Sequence, residues 1–393
     1  MCLLLFAGLF CWSIKPQPDI RRSIPDAWLT SPNFLYLCAM SDAQQKNIRH
    51  LTYAEIEEYF LQIGDKKFRA KQVYEWLWQK HAHSFEAMTN LSKELRTKLA
   101  NDFTLPALQV NTTQHSGDST IKSRFKTFDG HMVEGVLIPT DNRQTACVSS
   151  QIGCSLSCKF CATGYMDRKR NLTYDEIYDE VVLINQQAEK AYNKKLSNIV
   201  FMGMGEPLLN YNNVMKAIER ITAEDGLAMS PKRITVSTAG VAKMIKKLGD
   251  DKVRFKLALS LHAANDEKRN KIMPINESNN IKALIEALNY FYKQTKNEIT
   301  FEYILFKDLN DGLKDAEELV KVYRQVPADL VNIIEYNPID AFQFTKPDEE
   351  STQQFIQYLE AHKVNAHLRR SRGKDIDAAC GQLANKTREE ALA

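Results

Sequence analysis

Apolar positions first recur with a helical period. Thr52-Tyr53-Ala54-Glu55 has the form of a capping box, and Ile56, Tyr59, Phe60 and Ile63 follow at i, i+3, i+4 and i+7 until Gly64, which predicts a first helix. Residues 68–81 repeat the period with Val73, Trp76 and Leu77, and residues 91–103 supply a third helix. Trp76 and Trp78 read as core packing of this small helical unit, with base-stacking platforms as the alternative. Between 121 and 150 the period changes to two: 121–128, 132–138 and 145–150 read as strands, with Asp129-Gly130 as the hairpin turn between the first two. Further on, strand-like runs at 198–202, 233–237, 255–261, 300–306, 331–336 and 364–368 alternate with helical patterns such as 175–190, 281–292 and 315–323. This alternation predicts a parallel α/β sheet, a partial (βα)6 barrel preceded by a helical accessory unit and a β-hairpin extension.

Composition narrows the class. The 393 residues, 44% hydrophobic and 26% charged, exclude a disordered, collagen-like or coiled-coil chain, and a mean hydropathy of -0.39 argues against a polytopic membrane protein. Lys+Arg 52 against Asp+Glu 49 leaves +3, so any nucleic-acid surface must be local. The apolar run 2–12 has signal-peptide length and is shorter than the ~20 residues of a membrane span. No basic stretch precedes it and no clean cleavage site follows. Residues 1–39 therefore read as a leader upstream of a natural start at Met40, with a lipoprotein or signal segment as the alternative. The division that follows is 40–110 helical accessory domain, 111–150 β-extension, 151–370 barrel, and 371–393 a tail carrying Cys380.

Of the eight cysteines, Cys2, Cys11 and Cys38 lie near the start, Cys147, Cys154, Cys158 and Cys161 cluster, and Cys380 stands alone. In a reducing compartment such a cluster reads as metal-binding or catalytic. The CxxxCxxC spacing of Cys154, Cys158 and Cys161 suits an iron–sulfur cube or zinc. Three thiolates on a four-iron cube leave one iron free for a small molecule; a zinc site with Cys147 as fourth thiolate stays open. Polar residues also gather where strands end: Gly205 and Glu206 after the second barrel strand, Ser237, the run Ser260-Leu261-His262, and Asn337. Each alone reads as a cap or a satisfied polar group. Barrel sites form at the C-terminal ends of strands, so together these residues converge on one mouth.

With aromatic Phe160 before the last cysteine, the motif resembles the signature of radical S-adenosylmethionine (SAM) enzymes. That resemblance implies a [4Fe-4S] cluster on Cys154, Cys158 and Cys161, with SAM chelating the open iron and cleaved to a 5′-deoxyadenosyl radical. Gly203-Met204-Gly205-Glu206-Pro207 resembles the superfamily's GGEP-type element, which contacts the SAM amino group. It further implies SAM contacts at Gly205, Glu206, Ser237, Ser260, Leu261, His262 and Asn337. Within the superfamily the chain resembles the RlmN family of dual-specificity adenosine C2 methyltransferases from about Met40 onward. The matching stretches are VEGVLIP from Val133, CVSSQIGCSLSCKFCATG from Cys147, GMGEPLLN from Gly203, VSTAG from Val236, LALSLHAAND from Leu257, EYNPI from Glu335 and IDAACGQL from Ile376.

The family resemblance implies methylation of 23S rRNA and of tRNA beside the anticodon, with two SAM per turnover and a relay through Cys380 as S-methylcysteine. It implies Glu134 as proton acceptor and Cys147 as the transient disulfide partner of Cys380. Without it, Glu134 reads as a solvent-face carboxylate, Cys147 as a buried strand cysteine and Cys380 as a spare thiol. The resemblance also implies a cytoplasmic monomer without a membrane anchor, served by a low-potential donor such as flavodoxin or ferredoxin. Candidate RNA contacts are the basic run from Arg369 to Lys374, Arg168 to Arg170, and Lys66, Lys67, Arg69 and Lys71 of the accessory unit; solvated faces are the alternative. A buried reaction centre requires the target adenine to flip from its stack. The C8-methylating resistance relative shares these motifs and remains a second reading, and a non-catalytic iron–sulfur or zinc RNA-binding module a third.

Overall fold

The computed structural model describes residues 45–342 and 344–386, so the expected leader at 1–39 lies outside them. The accessory unit begins with β1 (Lys46–Asn47) and three helices, α1 (Tyr53–Gln62), α2 (Phe68–Trp78) and α3 (Lys93–Asp102), and ends in β2 (Phe103–Thr104), which pairs with β1. The capping box forms as the sequence predicts: Glu55 N donates to Thr52 Oγ1 at 3.2 Å, and the Glu55 carboxylate accepts from Thr52 N at 2.7 Å. The helices bury Ile56, Phe60, Val73, Leu77 and Leu99 around Trp78, which is core as expected. Trp76 is half-buried, with Lys80 over its ring.

Strands β3 (Gln109–His115), β4 (Ile121–Lys126), β5 (Met132–Pro139) and β6 (Gln144–Cys147) form an antiparallel meander, and the Asp129-Gly130 turn joins β4 to β5. β3 is absent from the periodicity reading because its residues, QVNTTQH, carry no apolar face. It forms because β4 needs a partner for its backbone groups. After the short pair β7 (Gln151–Ile152) and β8 (Arg170–Asn171) come α4 (Tyr174–Tyr192), β9 (Asn198–Phe201), α5 (Tyr211–Thr222), β10 (Ile234–Thr238), α6 (Ala242–Asp250) and β11 (Lys256–Ser260). The chain then continues through α7 (Asp266–Ile272), α8 (Ile281–Thr295), β12 (Ile299–Leu305), α9 (Leu313–Tyr323), β13 (Leu330–Glu335), α10 (Glu349–Ala361) and β14 (Ala366–Arg369).

All but the two short pairs share one ten-stranded sheet in the order β14-β13-β12-β11-β10-β9-β6-β5-β4-β3. β6 and β9 to β14 run parallel, giving six strand-to-strand crossovers and a seventh strand. β14 and β3 are the two edges, so the array is open and the barrel partial, as expected. The central parallel strands β10 to β12 are largely buried on both faces, as strands covered by crossover helices are; β12 is buried at every position.

Helix α4 ties the pieces together. Its outward side holds Asp179, which takes the Arg49 guanidinium at 2.7 Å with both side chains almost wholly buried, and Tyr178, whose hydroxyl donates to the Trp78 carbonyl. Its inward side holds Glu180, which accepts from Ser149 N. A small second core of Phe160, Ile304, Phe306, Ile334 and Tyr336 lies beneath the cysteine loop. Among the described residues no helix is long and apolar enough to cross a membrane.

Candidate active site

Cys154, Cys158 and Cys161 sit on the loop between β7 and a single 3-10 turn, Ala162–Tyr165. All three line one cleft of about 880 Å³ at the C-terminal ends of the parallel strands. Burial pushes the Cys154 thiol up to about 11 and raises Cys158 and Cys161 as well. Buried thiols of this kind ionise when a metal takes the charge. Among the described residues, no three His, Cys, Asp or Glu side chains converge closely enough to hold a single metal ion. A cube asks instead for three thiols around a space, one per corner, and this donor set fits it.

Gly205, Glu206, Ser237, Ser260 and His262 line the same cleft. Gly205 adopts φ +90°, and a Cβ there would lie 2.4 Å from Gln151 Cβ, so only glycine brings this turn so close to β7. The Glu206 carboxylate accepts from Leu208 N at 3.0 Å and Ala239 N at 2.7 Å. Burial nevertheless pushes it up to about 7; a ligand ammonium beside it would favour the charged form. Ser237 and Ser260 Oγ atoms lie 3.3 Å apart. His262 Nδ1 accepts from Ile304 N at 3.1 Å, which fixes the proton on Nε2, and burial pushes the ring down to about 3. The imidazole stands edge-on to Phe160 at 4.6 Å.

The tail brings in Cys380. Ala162 N donates to Gly381 O at 2.7 Å and Thr163 Oγ1 to Leu383 O at 2.6 Å, seating the tail on the cysteine loop. Gly381 has φ +86°, and a Cβ there would meet Phe160 O at 2.9 Å. Cys380 thereby borders the cluster cleft and also a second cavity of about 720 Å³ lined by Cys147, Cys161, Met202 and Arg369. Cys147, at the end of β6, is buried, and that burial together with Cys380 beside it raises its pKa. Two thiols 233 residues apart in the chain thus face one space.

Three expected residues lie elsewhere. Asn337 is buried and donates from Nδ2 to the Cys380 carbonyl at 3.2 Å, so it holds the tail. The Leu261 side chain is buried away from the cleft, and its carbonyl accepts from Arg269 Nε at 3.0 Å. Glu134 is 1% exposed and does not border the cleft. Its Oε2 accepts from Ala384 N at 2.9 Å and Asn385 N at 3.0 Å, and its Oε1 lies 3.6 Å from the buried Lys122 ammonium. It is no solvent-face carboxylate.

The basic run is largely engaged within the fold. Glu335 takes Lys374 at 2.7 Å and Arg370 at 3.6 Å, and Arg372 donates to Asp118 O and Pro139 O. Arg170 is held by Asp129 and Glu176. Arg369 borders both cavities instead. Periodicity also passed over Arg269, which is fully buried and donates to the carbonyls of Leu261, Ala239 and Ser260, tying together the ends of β10 and β11. Glu302, a carboxylate inside the otherwise apolar run of β12, borders the cleft; an acid in such a run is the signal that finds it.

Comparison with known proteins agrees with this layout. Residues 46–105 match the model of the ribosomal RNA large subunit methyltransferase N-terminal domain, and 148–322 that of the radical SAM superfamily. A probable dual-specificity RNA methyltransferase RlmN from Cytophaga hutchinsonii is 57% identical over 90% of this chain and 97% of its own length. The dual-specificity RNA methyltransferase RlmN of Nitratidesulfovibrio vulgaris is 43% identical over 86% of this chain and 94% of its own. The crystal structure of a radical SAM methyltransferase from Sphaerobacter thermophilus superposes with a TM-score of 0.82 at 40% identity, covering 87% of this chain and all of that one.

Proposed function

The chain belongs to the RlmN family of dual-specificity RNA methyltransferases, enzymes built on the radical SAM fold, and from this premise we propose that it forms 2-methyladenosine in 23S rRNA and in tRNA beside the anticodon. The observation that supports this reading is Cys380, whose sulfur-bearing segment borders both the cluster cleft and the cavity of Cys147. Carbon 2 of adenine is electron-poor and does not attack a methyl sulfonium, so the methyl group needs a radical route. Bound to Cys154, Cys158 and Cys161, a [4Fe-4S] cluster would supply one electron to the sulfonium of SAM, releasing a 5′-deoxyadenosyl radical.

The chain's own residues account for the remaining steps. Cys380 takes a methyl group on sulfur from one SAM, then loses a hydrogen atom from that methyl to the radical made from a second. The methylene radical so formed adds to C2, joining protein and RNA, and the adduct would return its unpaired electron to the bound cluster. Glu134 accepts the C2 proton, which requires the backbone of residues 384 and 385 to release its carboxylate. The Cys147 thiolate then attacks the Cys380 sulfur, breaking its bond to the methylene carbon; a disulfide forms, and the electron pair left on that carbon takes up a proton, which completes the methyl group and frees the base. Glu206, the two serines and His262 hold SAM; Asn337 and Arg269 hold the backbone that carries the site. The work falls to a cytoplasmic monomer fed electrons by a flavodoxin- or ferredoxin-type donor.

The test is anaerobic reconstitution with iron and sulfide, then SAM, reductant and unmodified 23S rRNA or tRNA, with nucleosides read by mass spectrometry. 2-methyladenosine is expected; 8-methyladenosine would assign the chain to the resistance branch. Cys380→Ala abolishes RNA methylation, and full activity in that variant would overturn the relay. Cys147→Ala accumulates a protein–RNA crosslink, and clean product from it would remove Cys147 from product release.

A further inference from the structure

A polar belt crosses the apolar interior of the barrel at the level of the cleft. Ser260 on β11 is the register partner of Glu302 on β12, and Glu302 is the partner of Asn332 on β13. Glu302 is 3% exposed. Its Oε1 is satisfied, accepting from Asn332 Nδ2 at 2.8 Å and Thr300 Oγ1 at 3.3 Å. Its Oε2 is buried and has no hydrogen-bond partner. The Arg369 guanidinium stands 3.7 Å from Oε2, close enough to compensate its charge and too far to donate a hydrogen bond. Glu302 borders the cleft that also holds the cluster cysteines, Ser260 and Cys380.

A buried acceptor is left without a donor only at a free-energy cost, larger for a charged group, unless something else supplies the donor. Here every protein donor near the carboxylate goes to Oε1 or stops at ion-pair distance, and Oε2 is the atom left over in a ligand cleft. We propose that Glu302 is a binding residue for the nucleoside part of SAM, with Oε2 accepting a hydrogen bond from a ribose hydroxyl; the inference rests on the reading that SAM occupies this cleft. Carboxylates serve ribose hydroxyls in the same way at dinucleotide sites. The position gives the contact a purpose. Glu302 lies between the serine pair and Arg369, the residue that borders Cys380, and the ribose carries the carbon on which the radical forms. Holding the hydroxyl fixes that carbon relative to the Cys380 methyl group, where a small displacement costs rate steeply.

The test uses cluster-reconstituted wild type, Glu302→Gln and Glu302→Ala, with calorimetric binding of S-adenosylhomocysteine and of its 2′-deoxy and 3′-deoxy analogues. In the wild type one of the two analogues binds more weakly than the parent. In Glu302→Ala the parent loses about ten- to a hundredfold in affinity, the worth of a hydrogen bond to a charged acceptor, and the penalty for that missing hydroxyl disappears. Glu302→Gln keeps the volume and one acceptor oxygen and falls between; it carries the test if the alanine variant fails to take up iron. A variant that still discriminates the deoxy analogue as the wild type does overturns the proposal. So does unchanged binding of S-adenosylhomocysteine with weakened binding of RNA, which would turn Glu302 toward the amino group of the target adenine. A wild type that binds no S-adenosylhomocysteine would instead defeat the reading that SAM sits in the cleft.

Discussion

Burial acts in opposite directions on two side chains of the same cleft: it lifts Glu206 to about 7 and lowers His262 to about 3, because in each case it penalises the charged form. For Glu206 the consequence for stability has a definite sign. Its folded value, about 7, lies above the ordinary 4.5, so the folded state binds the proton more tightly than the unfolded chain. The stabilisation is complete below pH 4.5 and is lost as pH rises through 7. In the cluster-free chain, the wild type should lose up to about 3 kcal/mol across that window relative to Glu206→Gln, which cannot ionise. Urea midpoints of both proteins at pH 5 and pH 8 measure the difference; parallel pH profiles would show that Glu206 does not titrate there.

At the scale of elements, the tail is the segment that completes the site, and a buried pair of side chains, Lys122 and Glu134, grips its far end. Lys122 is 3% exposed on β4; its ammonium lies 3.6 Å from Glu134 and donates to the Asp377 carbonyl at 3.3 Å. Glu134 in turn accepts the two backbone N–H groups of Ala384 and Asn385. Removing the ammonium leaves the Glu134 charge buried without its partner. Lys122→Met should therefore loosen residues 376–386 while leaving the sheet intact. Limited proteolysis and amide exchange of the C-terminal peptide should show faster cleavage and exchange, together with less S-methylated Cys380 in the isolated protein. Wild-type protection of the tail in Lys122→Met would mean that its backbone contacts to Ala162, Thr163 and Asn337 suffice.

Across the whole molecule, net charge hides where RNA is met. The chain is nearly neutral, and much of its basic side-chain population is spent internally, as at Glu335 and Asp129. On the accessory unit the pattern differs: Lys66 and Lys71 are exposed and form no ion pair among the described residues, whereas Lys67 and Arg69 face Glu57 and Asp65 at 4.0 and 3.9 Å. Lys66 and Lys71 are therefore better placed than the run 369–374 to meet phosphate. Lys66→Ala with Lys71→Ala should weaken binding of tRNA and rRNA fragments alike and lower the salt slope of log Kd by about one to two, one per lost phosphate contact. Iron content should not change. An unaltered slope would move the RNA surface off this unit.

Much of this protein is written locally. The capping box at Thr52, the Asp129-Gly130 turn, the strand–helix alternation and the CxxxCxxC spacing depend on neighbours within a few residues, so periodicity and motif determine them. β3 was invisible because its existence depends on the free edge of β4 and not on its own side chains. Trp78 follows its helical period into the core, yet nothing local says that Arg49 would be buried against Asp179, 130 residues away. The candidate site divides in the same way. The three cluster cysteines and Glu206 follow from spacing, because each sits in a short loop at a strand end. That Cys380 borders the space of Cys147, that Glu134 grips the tail, and that Glu302 keeps one oxygen free are outcomes of strand register and of where the tail lands. These are long-range facts, set by burying a common core, which local sequence does not encode.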